Sequence, residues 1–195
     1  MNSSLTTDIL FPTKVWRKEL DYDVSSLMSY IKNLTSNVDS TFNSNYGGWQ
    51  SPDVDLENAP TELISLKQSI DRVVKEVCID TDLPTLCLDN LWFNVNPPGT
   101  YNIVHTHPRS LISGVFYIDV PDNNMGNIRF YREDAAEYHI PEGLKTNNNF
   151  TSLAVEYAPK NGVLLLFPSW LKHSVQGNMS KENRVSMSFN YRIIK

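Results

Sequence analysis

Arg184-Val185-Ser186-Met187-Ser188-Phe189-Asn190-Tyr191-Arg192-Ile193 alternates without a break, apolar at every odd position and polar at every even one. A period of two is the signature of a strand with one face in an apolar core. The even face carries Arg184, two hydroxyls and an amide, and it lacks the mixed acids and lysines of an ordinary solvated face. An arginine fork grips a carboxylate bidentately, and neighbouring serines can complete such a cradle. The competing reading is an outward polar face with Arg184 paired to an acid such as Glu182.

Upstream of this strand the pattern stays β-like as far back as Cys78. Leu86 to Val95 is apolar and β-prone until Pro97-Pro98-Gly99 breaks it. Ile112 to Val120 reads as a strand, Pro121 to Gly126 as a turn, and Asn127 to Arg132 as its returning hairpin partner. Gly162 to Phe167 is a short apolar strand ending at Pro168. The polar stretch from Glu133 to Asn149 reads as a long loop, of the kind that often covers a site.

The first 80 residues differ. Val24, Leu27, Met28, Ile31, Leu34 and Val38 form one helical stripe, and Leu63, Leu66, Ile70, Val73, Val74 and Val77 form a second. For the second helix Asn58 is a candidate cap and Pro60 is tolerated in the first turn. Helices first and short strands afterwards predict a mainly β sandwich or squat barrel with the helices on one outer face. The expected organisation is a single domain over 1–195, with helical support over 1–80 and a β core over 86–195.

Composition narrows the function classes. The chain has 195 residues, 41% of them hydrophobic and 20% charged, enough for a sizeable core. No apolar run reaches the roughly 20 residues that span a bilayer, and the polar start has no signal-peptide pattern. A cytoplasmic protein is expected, with no membrane role. Two cysteines, Cys78 and Cys87, make neither a disulfide framework nor a four-thiolate zinc site. A net charge of -5 with scattered basic residues argues against a nucleic-acid partner.

Only four histidines occur, and their places matter: His105, His107, His139 and His173. In His105-Thr106-His107-Pro108 the two imidazoles sit at i and i+2, on one face of an extended chain, and Pro108 favours that extension. Both could reach one metal ion, or both could be a solvated strand edge. His173 follows the strand ending at Phe167. If that strand neighbours the one carrying His105, three nitrogen ligands converge. His139, alone in the polar loop, reads as an exposed histidine.

Taken together, HxHP at 105–108, SGVFY at 113–117, FPSWLxH at 167–173 and RxSxSFNY at 184–191 resemble the iron(II)/2-oxoglutarate-dependent oxygenases. The similarity is strongest to small microbial and phage members of the prolyl-hydroxylase-like branch, and it extends to Phe11-Pro12 and the GGWQSP block at 47–52. The resemblance implies a double-stranded β-helix, or jelly roll, with iron(II), 2-oxoglutarate and O2 as cofactors. It implies metal ligation by His105 and His173, and co-substrate binding by Arg184, Ser188 and Tyr117. Asn94, Asn102, Trp92 and Trp170 are candidate substrate-pocket residues that could equally serve packing.

One departure from the family pattern stands out. Its His-x-Asp aspartate is replaced here by His107. As a ligand, His107 completes three neutral imidazoles and leaves the metal's +2 charge uncompensated until a dianion binds. Alternatively it stands behind the ligands or binds substrate. Asp119 or Asp134 could supply a carboxylate, but no spacing supports either.

The expected activity is hydroxylation of a small-molecule or peptidyl substrate, in the cytoplasm or, for a phage-borne chain, the host cytoplasm. Two alternatives stay open: a three-histidine metal enzyme without 2-oxoglutarate (a cupin-like dioxygenase or zinc hydrolase), and a non-enzymatic jelly-roll binding module. Exposed strands at the barrel edge could pair in a homodimer.

Overall fold

The computed structural model describes residues 5–134, 148 and 151–194. The long polar loop, with His139, falls almost entirely outside them. Eleven strands and two α-helices make up the described chain. The strands are β1 Trp16–Glu19, β2 Asn45–Tyr46, β3 Trp49–Gln50, β4 Leu86–Asn96, β5 Tyr101–His105 and β6 Ile112–Asp119. They continue with β7 Ile128–Tyr131, β8 Ala154–Tyr157, β9 Val163–Pro168, β10 His173–Val175 and β11 Arg184–Ile193.

Two antiparallel sheets face each other. The major sheet has the order β1-β9-β6-β11-β4-β3 and the minor sheet β2-β5-β10-β7-β8. This is the jelly-roll architecture the sequence resemblance implied. The first 80 residues therefore supply three short strands as well as both helices.

The helices follow their apolar stripes. α1 spans Ser25–Asn37 and α2 spans Thr61–Thr81. Leu27, Ile31, Leu63, Leu66 and Ile70 are all buried against the odd face of β11, where Val185, Met187, Phe189 and Tyr191 meet them. Full burial of such side chains is worth about 1.5–3 kcal/mol each. Asn58 does not cap α2. It lies in a 3-10 turn, Leu56–Asn58, and donates to Asp55, while Pro60 occupies the cap position with no side-chain bond.

Central β6 is buried on both faces. Gly114 is required there, because a Cβ would lie 2.5 Å from the Phe189 ring. A second, smaller core between the sheets joins Val115, Ile128, Phe130, Leu165 and Phe167.

The structure corrects the expected hairpin of residues 112–120 with 127–132. β6 pairs with β9 and β11, whereas β7 pairs with β8 and β10 in the opposite sheet. The Pro121–Gly126 turn carries the chain across the sandwich instead of back along the same sheet. β-propensity predicted both strands, but the partner of each is a long-range choice.

Candidate metal and anion site

The cleft between the sheets is lined on one wall by β4, β6 and β11 and on the other by β5, β7 and β10. Its free volume, open mouth included, is about 480 Å³.

His105 closes β5 and His173 opens β10, and the two residues face each other in register. From the sequence, convergence was conditional on the His105 strand having as its neighbour the strand ending at Phe167. That strand, β9, belongs to the major sheet, and the separate three-residue β10 makes the contact instead. A bulge at Ile103–Val104, opposite Ser174, lets Asn102 and His105 both face inward. His107 lies beyond the strand end, its backbone N–H bonded to the Ser169 carbonyl at 2.9 Å.

The three imidazoles converge. One ligand atom from each lies within 4.8 Å of the others, and His107 Nε2 and His173 Nε2 are 3.3 Å apart. Two nitrogens about 2.1 Å from one ion, at a near-tetrahedral angle, stand roughly 3.4 Å apart, so this spacing suits metal ligation.

His105 Nδ1 meets the Ile103 carbonyl at 2.7 Å, and His173 Nδ1 meets that of Leu171 at 2.9 Å. A carbonyl only accepts, so Nδ1 carries the proton and the Nε2 lone pair faces the cleft. Burial lowers all three pKa values, that of His173 to about 3 and that of His107 to about 4, with repulsion from His105 adding to both. The rings are therefore neutral, metal-competent ligands at physiological pH.

Arg184 sits at the far end of the same cleft and is 2% exposed. Its Nη1 donates to the carbonyls of Met125 at 2.6 Å and Gly126 at 3.0 Å. Gly126 permits that approach. Its φ is +81°, and a Cβ would lie 2.1 Å from the Gln176 carbonyl oxygen. Glu182 is not the arginine's partner, and the even face of β11 turns inward from Arg184 to Asn190, with only Arg192 at its end facing solvent.

Two buried polar atoms lack partners here, Arg184 Nε and Asn96 Oδ1, and they belong to one cross-strand pair of β11 and β4. Unsatisfied buried groups cost about 1–3 kcal/mol each, so an unpaired guanidinium N–H in a cleft is a built place for an anion.

Tyr117 is fully buried within electrostatic reach of Arg184, and burial pushes its hydroxyl up to about 12. Trp92, Asn94, Asn102 and Ser188 line the cleft, with Asn94 Nδ2 donating to Ser188 Oγ at 3.1 Å. Trp170 does not line it and is 57% exposed. Neither Asp119 nor Asp134 lines it either, and Asp134 is ion-paired with Arg132.

Sequence reasoning passed over Asn96, and it counted Ser186 only among the hydroxyls neighbouring Arg184. Ser186 lies one same-face step from Arg184, whereas Ser188 lies two steps away, about 13 Å along the strand. Asn96 is the next even-face residue after Asn94 on β4, so strand alternation alone could have found it. The buried hydrogen-bond chain Ser169–Ser113–Asn190–Asn90 was also unforeseen. It braces Ser169, whose carbonyl holds the backbone of His107.

Comparison with known proteins agrees with this fold. The model of a family described as "Putative 2OG-Fe(II) oxygenase" matches residues 90–190. A prolyl-4-hydroxylase of Pseudomonas putida superposes with a TM-score of 0.68 at 15% identity, covering 94% of each chain. The nogalamycin-biosynthesis epimerase SnoN, titled non-heme and alpha-ketoglutarate dependent, gives 0.67 at 16% identity, over 92% of this chain and 78% of its own. A Trichoplax adhaerens prolyl hydroxylase solved with a hypoxia inducible factor peptide gives 0.63 at 17% identity, over 91% and 83%. At these identities the likeness establishes the fold. No curated protein matches the sequence.

Proposed function

Because this chain belongs to the 2OG-Fe(II) oxygenase family whose model spans residues 90–190, we propose that it is an iron(II)- and 2-oxoglutarate-dependent hydroxylase of a small molecule or peptidyl side chain. The observation that carries the reading is one cleft holding three converging imidazoles at one end and an unpaired, buried guanidinium N–H at the other. A metal ion and a dicarboxylate together fit those two ends.

Iron(II) bound with 2-oxoglutarate and O2 supplies the oxidising chemistry, in which the co-substrate loses CO2 and a substrate C–H becomes C–OH. The chain's own residues bind and orient. His105, His107 and His173 hold the metal through nitrogen, two of them fixed in ring orientation by the Ile103 and Leu171 carbonyls. Arg184, itself held by Met125 and Gly126, takes the far carboxylate, with Tyr117 and Ser186 beside it. Ser188, Asn94, Asn102 and Trp92 line the rest of the cleft, where the substrate C–H is positioned and water excluded.

On this reading the chain is one domain over 1–195 acting in the cytoplasm, a setting compatible with the free thiols of Cys78 and Cys87. Among the described residues no helix is long and apolar enough to cross a membrane.

Anaerobic titration with iron(II) and 2-oxoglutarate tests the reading through the weak visible charge-transfer band of the chelate. A saturable band is expected. Arg184→Ala should weaken 2-oxoglutarate binding by about 10- to 100-fold, the range for a lost hydrogen-bonded charge, while the metal alone still binds. Absence of the band, or unchanged co-substrate affinity in the variant, overturns the assignment. Metal-dependent turnover without 2-oxoglutarate would favour a three-histidine enzyme of another kind.

A further inference from the structure

Resting on that reading, we propose that the cleft retains its metal ion tightly only together with a dicarboxylate dianion, and that His107 is the residue that sets this dependence. Among the described residues, those lining the cleft include no carboxylate: the list of ionisable side chains is His105, His173, Tyr117 and Arg184, with His107 beside them. Burial dominates at all three histidines, joined by the Ile103 carbonyl at His105 and by the His105 ring at His107. At His173 both other rings and the Leu171 carbonyl join it, and the ionisable group acting on Arg184 is Tyr117. Among the described residues, then, neither end of the cleft carries a negative charge.

Charge arithmetic then decides the order of events. Three neutral imidazoles, Arg184⁺ and a divalent ion sum to +3 inside a partly desolvated cleft. Such a charge is costly, because like charges are poorly screened away from bulk water. A dianion spanning metal and guanidinium reduces the sum to +1 and pairs the orphaned Arg184 Nε. Metal and dianion therefore favour each other's binding, and linkage makes the effect reciprocal. A carboxylate at position 107 would neutralise one charge permanently and relax the dependence. His107 is also the least anchored of the three. Among the described residues its ring bonds only to His173, and its hold on the fold is the backbone bond to Ser169.

Cobalt(II) serves as an oxygen-stable probe, titrated by its visible absorption in the presence and absence of saturating 2-oxoglutarate. The wild-type Kd for cobalt should fall about 100-fold when 2-oxoglutarate is added, the upper part of the usual coupling range. His107→Asp should bind cobalt more tightly alone and shrink that ratio to about 10-fold or less. His107→Asn, neutral like the parent, should keep the ratio large, which separates charge from shape. An equal cobalt Kd with and without 2-oxoglutarate in the wild type overturns the inference, as does an unchanged ratio in His107→Asp. Cobalt binding that is saturable and abolished by His173→Ala, yet insensitive to 2-oxoglutarate, sinks this inference alone. Absence of any His173-dependent binding sinks the metal reading beneath it as well.

Discussion

The two faces of β11 do opposite work. Its odd face buries Val185, Met187, Phe189 and Tyr191 against α1 and α2, and Tyr191 Oη donates to Asp71 Oδ1 at 2.6 Å. Its even face turns Arg184, Ser186, Ser188 and Asn190 into the cleft or the polar network beside it. One face is closely packed, and the other keeps buried polar atoms, two of them unpartnered across β4–β11. Unsatisfied polar groups that a stable core would eliminate persist where a ligand can complete them. The contrast separates what stabilises this molecule from what equips it for chemistry.

That separation can be broken experimentally. Phe189→Ala, on the packed face, should cost about 3–5 kcal/mol in urea unfolding, because the ring fills the space left by Gly114. Cobalt affinity of the folded variant should stay within about three-fold, and a much larger loss would mean the two faces are coupled. His105→Ala, in the cleft, should do the reverse. Its metal affinity should drop about 100-fold (about 2.7 kcal/mol), with stability of the metal-free protein changed by about 1 kcal/mol or less. Equal losses in both measurements would show that the ring is structural.

The smallest effect is one of pH. His173 has a folded pKa of about 3, below its ordinary value near 6.5. Below pH 6.5 the unfolded chain takes up a proton that the folded chain refuses, so metal-free stability falls as pH drops. Between pH 7 and 5 this single group should remove about 2 kcal/mol, read as a lower urea midpoint. His107 and His105 shift in the same direction and add to the slope. The carboxylates with lowered values, such as Asp23, Asp55 and Asp80, contribute only below about pH 4, as they are protonated there. A flat profile from pH 7 to 5 would contradict a buried neutral imidazole cluster.

Much of this was legible before any coordinates. Both helices lie on their apolar stripes to within a turn, and β11 runs over the full alternating segment, because period and face are local properties of the chain. The i, i+2 histidines and Arg184 stood out as candidate chemistry, each beside an ordinary reading as a solvated strand face. β10 was invisible, since three residues are too few for any periodicity, yet it delivers His173 to His105. β1 escaped for the same reason. Trp170, a pocket candidate that could equally serve packing, is exposed and does not line the cleft, because its direction is set by a turn and not by strand alternation.

The sequence by itself determined which faces are apolar, where helices give way to strands, and which side chains can ligate a metal or grip an anion. Those properties reside in residue type and spacing along a few turns or strand steps. Only the tertiary structure decided that β6 and β7 part company into opposite sheets, that β10 rather than β9 meets β5, and that Arg184 shares a cleft with three imidazoles. Those are long-range pairings, chosen by the burial of whole faces and by the satisfaction of backbone hydrogen bonds across the sandwich, which no local window contains.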